Sequence, residues 1–146
     1  MEKIKVLFLC TGNSARSQMA EAFLNLYGAG KYQAFSAGLE PQGINPLTIK
    51  VMDEIGISLK EQRSKSVMEY MEKERFAYLV TVCSNADKNC PVVFLGVNRR
   101  IHRQFDDPAA AKGTKEERTK KFREVRDQIK DWIKSWLEEQ GFEPFI

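Results

Sequence analysis

The chain has 146 residues, 42% hydrophobic and 29% charged, with a net charge of +3. This is length enough for one core and a composition that excludes intrinsic disorder. The charge is too mild to imply a nucleic-acid partner, and no apolar run approaches the roughly 20 residues of a membrane helix. Residues 4–10 are apolar but too short and too early for a secretory signal, and no small-residue cleavage site follows. The expectation is one domain over 1–146, cytoplasmic and monomeric, with neither nucleic acid nor membrane as partner. In that compartment three cysteines are more often catalytic or redox-active than structural.

Ile4 to Leu9 is nearly continuous apolar sequence, as for a parallel strand buried on both faces. A helix follows from about Ala15 to Tyr27, patterned by Met19, Ala20, Ala22, Phe23 and Leu26, and ends near Gly28 and Gly30. Tyr32 to Ser36 reads as a second strand, closed by Ala37-Gly38. After a loop from Leu39 to Asn45, Asn45-Pro46 predicts a helix start, with Asn as N-cap and Pro at the first helical position. Leu47, Ile49, Val51, Met52 and Ile55 continue it until Gly56. Ser66 to Glu74 predicts a third, charged helix with Val67, Met68 and Met71 on its apolar side. Phe76 to Cys83 is a third strand rich in β-formers, and Val92 to Leu95 is a candidate fourth. Thr114-Lys115-Glu116-Glu117 is a capping-box pattern that opens the last helix. Phe122, Val125, Ile129, Trp132, Ile133 and Trp136 recur along it, and the two tryptophans read as core packing. Alternating strands and helices predict a three-layer α/β/α sandwich with a mostly parallel four-stranded sheet.

Ligands of such sheets bind beyond the carboxyl ends of the strands. At the end of the first strand stands Cys10-Thr11-Gly12-Asn13-Ser14-Ala15-Arg16-Ser17, running straight into a helix. Backbone N–H groups can converge there, and the helix dipole favours negative charge. Gly12 permits a left-handed or close-approach backbone and Asn13 tolerates one. Arg16 adds a two-pronged cationic clamp. The field that holds an anion also favours the thiolate of Cys10, to which Ser17 can donate a hydrogen bond. A nucleophile in an oxyanion cradle points to attack on a phosphoryl-like group. Cys-x5-Arg alone is a weak signal; the strand before, the Gly-Asn within and the helix beyond make it specific.

Cys10 to Glu21 resembles the phosphate-binding loop of the low-molecular-weight tyrosine phosphatase superfamily, and more narrowly that of its thioredoxin-coupled arsenate reductases. Cys83 and Cys90, seven positions apart, bear on the choice of branch. As residues alone they could be unrelated, or they could pair transiently if the segment bends. A zinc site is not supported, because the lone histidine, His102, is distant in sequence and no close ligand pairs exist. Cys83-x6-Cys90-Pro91 is similar to the corresponding segment of the arsenate reductases. The resemblance extends through Asn45-Pro46 and Phe105-Asp106-Asp107-Pro108-Ala109 to Phe122-x2-Val125-Arg126-Asp127, nearly the whole chain. Asp106-Asp107-Pro108 is by itself an ordinary rigid turn. By resemblance Asp107 is the general acid, and Ala109 stands where phosphatases of this fold commonly carry a substrate-gripping aromatic.

The resemblance implies reduction of arsenate to arsenite. Residues Thr11, Gly12, Asn13, Ser14, Ala15, Arg16 and Ser17 would hold the oxyanion. Cys10, Cys83 and Cys90 would relay a disulfide, Arg16 and Asp107 would assist, and thioredoxin would be the external reductant, with no bound cofactor or metal. The alternative on the same fold is a tyrosine phosphatase that hydrolyses phosphate monoesters through Cys10; a non-enzymatic redox or oxyanion sensor is a third reading. Relatives with a potassium site beside the loop have ligands corresponding to Asn13, Glu21, Ser36 and a carboxylate near position 65. Here Lys65 stands in the last place, which suggests either that its ammonium replaces the cation and pairs with Glu21 or that it is simply solvated.

Overall fold

The computed structural model describes residues 2–71, 73–90 and 97–145. Four strands, β1 (Ile4–Cys10), β2 (Tyr32–Gly38), β3 (Phe76–Thr81) and β4 (Val97–His102), form one sheet in the order β2-β1-β3-β4. Every pairing is parallel, with Cys10 opposite Gly38 and Leu9 opposite Thr81. The helices are α1 (Arg16–Tyr27), α2 (Pro46–Asp53), α3 (Ser84–Asn89) and α4 (Lys115–Glu139). The α/β architecture expected from the alternation is therefore present, and the sheet is wholly parallel.

The order of strands sets the position of the site. From β1 the chain crosses to β2 on one side, and β3 lies on the other. Connections leaving β1 and β3 thus diverge and open a crevice at their carboxyl ends, the switch point where open α/β sheets bind ligands. Val6, Leu7, Phe8 and Leu9 are fully buried, which is why the run is apolar without alternation.

Helix α4 supplies one wall of the core through Phe122, Val125, Ile129, Ile133, Trp136 and Leu137. Its capping box forms as expected: the Thr114 hydroxyl accepts from Glu117 N while Glu117 accepts from Thr114 N, both at 3.1 Å. The tryptophans do pack as core. Trp136 meets Tyr32 and Tyr78 edge-on at 5.5 and 5.0 Å, and Trp132 meets Phe105 at 6.3 Å. Asn45 caps α2 by accepting from Leu47 N at 2.9 Å. Glu54, just past α2, is clamped by Arg123 and then Arg126 of α4, which hold its carboxyl at about 2.

The structure departs from the sequence expectations in several places. The described residues of Ser66–Glu74 do not form the expected helix; a single 3-10 turn spans Val67–Glu69. Only Val67 of that turn is buried while Met68 is 65% exposed, and the Tyr70 ring packs on Phe35 and Phe76. The segment has two anchoring points rather than an apolar stripe, too little to sustain a helix. The last strand is β4, whose sequence Val-Asn-Arg-Arg-Ile-His gives no apolar signal because an edge strand is largely solvated. The candidate strand at Val92–Leu95 lies outside the described residues. Finally, α3 occupies a polar segment, and β3 ends at Thr81, two residues before Cys83.

Candidate active site

The loop between β1 and α1 turns on Asn13, the described non-glycine residue with positive φ, at 48°. It is Asn13, rather than Gly12, that takes the left-handed conformation. An asparagine tolerates it, and here the side chain is fully engaged. Its Nδ2 donates to Ser17 Oγ at 2.8 Å and Ser36 Oγ at 3.0 Å. Its Oδ1 accepts from Gln18 Nε2 and from Lys65 N, both at 3.0 Å. Strand β2 must also come close: a Cβ on Gly38 would lie 2.7 Å from Thr11 O and 2.9 Å from Asn13 N. Only glycine leaves room for that approach.

This turn aims two donors at one sulfur. Asn13 N donates to Cys10 Sγ at 3.1 Å, and the Ser17 hydroxyl lies 2.8 Å from it. Ala15 at the N-cap of α1 offers no side-chain acceptor, so the leading amides of the helix remain available to an oxyanion. Arg16 is held across the mouth: Nη1 donates to Phe105 O at 3.1 Å, and Nη2 lies 3.9 Å from Asp107 Oδ2. Asp107 in turn caps the Pro108–Ala110 turn through Ala109 N at 3.0 Å. Its side chain is 48% exposed.

These residues surround a cleft of about 510 Å³ lined by Cys10, Thr11, Gly12, Ser14, Ala15, Arg16, Cys83 and Asp107, among others. Cys83 reaches it from the opposite strand connection, and Thr11 Oγ1 lies 3.5 Å from its sulfur. Asn13 and Ser17 stand behind the cleft as buried supports. Cys90 is elsewhere, at the C-terminal end of α3; it is buried, and that burial pushes its thiol up, with Asp87 adding to the effect and Arg100 opposing it. All three cysteines are free. Among the described residues no cluster of three or more His, Cys, Asp or Glu is arranged to hold a metal ion. None of the described helices is long and apolar enough to cross a membrane.

Beside the loop lies a buried ionic network. Lys65, 7% exposed, points its Nζ at Arg63 O (2.9 Å), Ser36 Oγ (3.5 Å) and Glu21 Oε1 (3.6 Å). Ser36 donates to Glu21 Oε1 at 2.6 Å. Burial raises the Glu21 carboxyl, with Ser36 and Lys65 opposing, and burial lowers the Lys65 ammonium, with Glu21 opposing.

Several supporting residues carried little signal in the sequence. Gln18 is fully buried and ties Asn13 to Arg63 O, and Gln62 Nε2 supports Gln18 at 2.8 Å. Asn85 Nδ2 donates to Thr11 Oγ1 at 2.7 Å. A glutamine amid the buried face of α1, flanked by Met19 and Ala20, was the one available hint for Gln18.

Residues 5–142 match the sequence profile of the low molecular weight phosphotyrosine protein phosphatase family, and the chain belongs to that family. Several of the similar proteins are arsenate reductases by name. An arsenate reductase of Shouchella clausii is 44% identical over 139 residues, covering 94% of this chain and 98% of that protein. An arsenate reductase of Bacillus subtilis is 41% identical over 138 residues, with the same two coverages of 94% and 98%. Among solved structures, an arsenate reductase in its phosphate-binding state superposes with a TM-score of 0.77 at 30% identity, covering 93% of this chain and 98% of that one.

Proposed function

We propose that the chain is, as a single catalytic unit, an arsenate reductase that works by a relay among Cys10, Cys83 and Cys90. The observation that carries this reading is the second cysteine in the cleft. Ester hydrolysis needs Cys10, Arg16 and an acid; it has no use for Cys83 lining the same cavity from the N-cap of α3, nor for Cys90 at the other end of that helix.

The loop amides and Arg16 hold arsenate, and the Cys10 thiolate attacks arsenic. Asp107 protonates the departing oxygen, which leaves as water. Cys83 then attacks Cys10 Sγ. The sulfur–arsenic bond breaks with its electron pair going to arsenic, so arsenite leaves and a Cys10–Cys83 disulfide remains. Cys90 attacks Cys83 and expels the Cys10 thiolate. The Cys83–Cys90 disulfide holds the two oxidising equivalents, and an external dithiol protein removes them by exchange. Thioredoxin is the reductant we assign. A reducing cytoplasm is the compartment such a cycle requires.

We assign the Lys65 ammonium as the resident cation of the loop, in the position that Asn13, Ser36 and Glu21 would otherwise offer to a metal ion. Its supports are the three oxygen contacts described above.

The test is a thiol count on the reduced protein before and after arsenate, with no reductant present. A fall from three thiols to one, with Cys83 joined to Cys90 by peptide mass, is the expected result. Three thiols retained beside steady hydrolysis of an aryl phosphate would move the assignment to a phosphatase.

A further inference from the structure

Between the two relay cysteines lies a helix that cannot persist through the last step. Cys83 and Cys90 cap the two ends of α3. Seven steps of about 1.5 Å separate their Cα atoms by about 10 Å, beyond the roughly 4.4–6.8 Å of a disulfide. On the relay reading, α3 must therefore come apart, and whatever holds it governs the step.

Little of that hold is apolar. Ala86 is the buried residue of the helix, and six residues are far too few for a helix to stand alone. Its N-terminal cap is Cys83 itself, whose sulfur accepts from Ala86 N at 3.4 Å, and that sulfur is occupied once Cys83 is joined to Cys10. What remains is polar: in the first turn Ser84 Oγ donates to Gln104 Oε1 and Asn85 Nδ2 to Thr11 Oγ1, both at 2.7 Å, and at mid-helix Asp87 is tied to the sheet. Asp87 Oδ1 accepts from Thr81 Oγ1 at 3.1 Å and from Arg100 Nη2 at 3.2 Å, and Arg100 Nη2 also donates to Asp87 O. Thr81 is itself held by His102 Nδ1 at 2.9 Å, and that nitrogen lies 3.9 Å from Asp87 Oδ1. Arg100 and His102 are two apart on β4 and so share one face of the sheet.

We propose that Asp87, tied to Thr81 of β3 and Arg100 of β4, is a latch that keeps α3 wound in the dithiol state and opposes closure of the Cys83–Cys90 disulfide. Asp87 is thus a positioning residue: it touches no substrate and acts through the conformation of the cysteine pair. A latch of this kind keeps Cys90 away from Cys83 until the Cys10–Cys83 bond has removed the cap at the other end.

The experiment is redox titration of the full chain carrying Cys10→Ser, so that Cys83 and Cys90 form the measured couple. It is equilibrated in thiol–disulfide buffers and read by thiol count and peptide mass. Asp87→Asn and Arg100→Gln are each added to that background; asparagine and aspartate have similar helix propensity. Each is expected to shift the equilibrium about tenfold toward the disulfide, the scale of one charge-assisted hydrogen bond. That is about 30 mV more negative for a two-electron couple. The double variant should shift no further than the larger single one, since both break the same tie.

Shifts of opposite sign would mean that the two charges act on the thiols directly, because Asp87 and Arg100 push Cys90 in opposite directions. That result, or no shift in either variant, overturns the latch while leaving the relay standing. Failure of any Cys83–Cys90 disulfide to form overturns the relay and the latch with it.

Discussion

Asn13 concentrates the demands of the loop in one side chain. Its left-handed backbone costs an ordinary residue about 1–2 kcal/mol. Its amide satisfies Ser17, Ser36, Gln18 and Lys65 N at once. Asn13→Ala should therefore lower stability by about 3 kcal/mol, adding the strain to at least one unsatisfied buried partner. The melting temperature of a chain this size would fall by about 10 °C, whereas Asn13→Gly, which keeps the turn, should lose less. Cys90 makes the second residue-scale prediction. Its thiol is raised by burial, so the thiolate is a minor species at neutral pH and its population grows as pH rises. Decay of the Cys10–Cys83 intermediate, followed by rapid acid quench and mass mapping in a single turnover, should accelerate with pH through and above neutrality. A pH-independent rate would show that another event limits that step.

At the scale of elements, the site is a contact between strand ends and helix starts. Strand β2 makes no catalytic contact, yet its last residue determines whether the loop can close: Gly38 N donates to Lys65 O at 2.8 Å while its α-carbon abuts the loop backbone. Gly38→Ala would place a methyl group 2.7 Å from Thr11 O, against backbone that has no rotamer to yield. The expected cost is about 1–3 kcal/mol of strain, relieved by moving the loop, so oxyanion affinity should drop. Competitive inhibition by phosphate measures this: a weaker inhibition constant with retained fold is expected, and an unchanged constant would show that the strand yields instead. Helix α4 participates from further away, since Trp132 packs on Phe105, whose carbonyl positions Arg16.

At the scale of the whole molecule, the Glu21–Lys65 pair joins α1, β2 and the 63–66 segment behind the loop. Burying it costs desolvation on both sides, as their opposed shifts record. Removing one partner of a buried pair costs about 3–5 kcal/mol, so Lys65→Met should melt well below the unaltered chain. The sign with pH follows from Glu21. A carboxyl raised on folding binds its proton more tightly in the native state. Its contribution is fully present below the ordinary value of 4.5 and is lost as pH rises through the raised one. Without Lys65 that loss should be deeper and extend to higher pH, seen as a steeper fall in melting temperature from acid to neutral pH. Exchanging potassium for sodium should leave the melting temperature of the unaltered chain unchanged; a marked rise with potassium would overturn the assignment of Lys65 as resident cation.

Much of the site lay open in the sequence because its chemistry is local. Cys10, Asn13, Arg16 and Ser17 fall within a single turn, so residue types and spacing sufficed to read an oxyanion loop. The apolar run of β1 and the stripe of α4 similarly declared which faces would be buried. The strand-end rule already places Cys10 and Cys83 on one edge of the sheet; the wholly parallel sheet and its order are long-range facts that depend on which strand pairs with which, and they make that edge a single crevice although 73 positions separate the two cysteines. The edge strand β4, the short helix α3 and the 3-10 turn at Val67–Glu69 escaped the sequence because each is held by a few specific contacts with distant elements rather than by an apolar pattern of its own. The same holds for Gln18, Gln62 and the Asp87 tie. A buried hydrogen bond is satisfied by whichever donor the fold delivers, and only the tertiary structure decides which one that is.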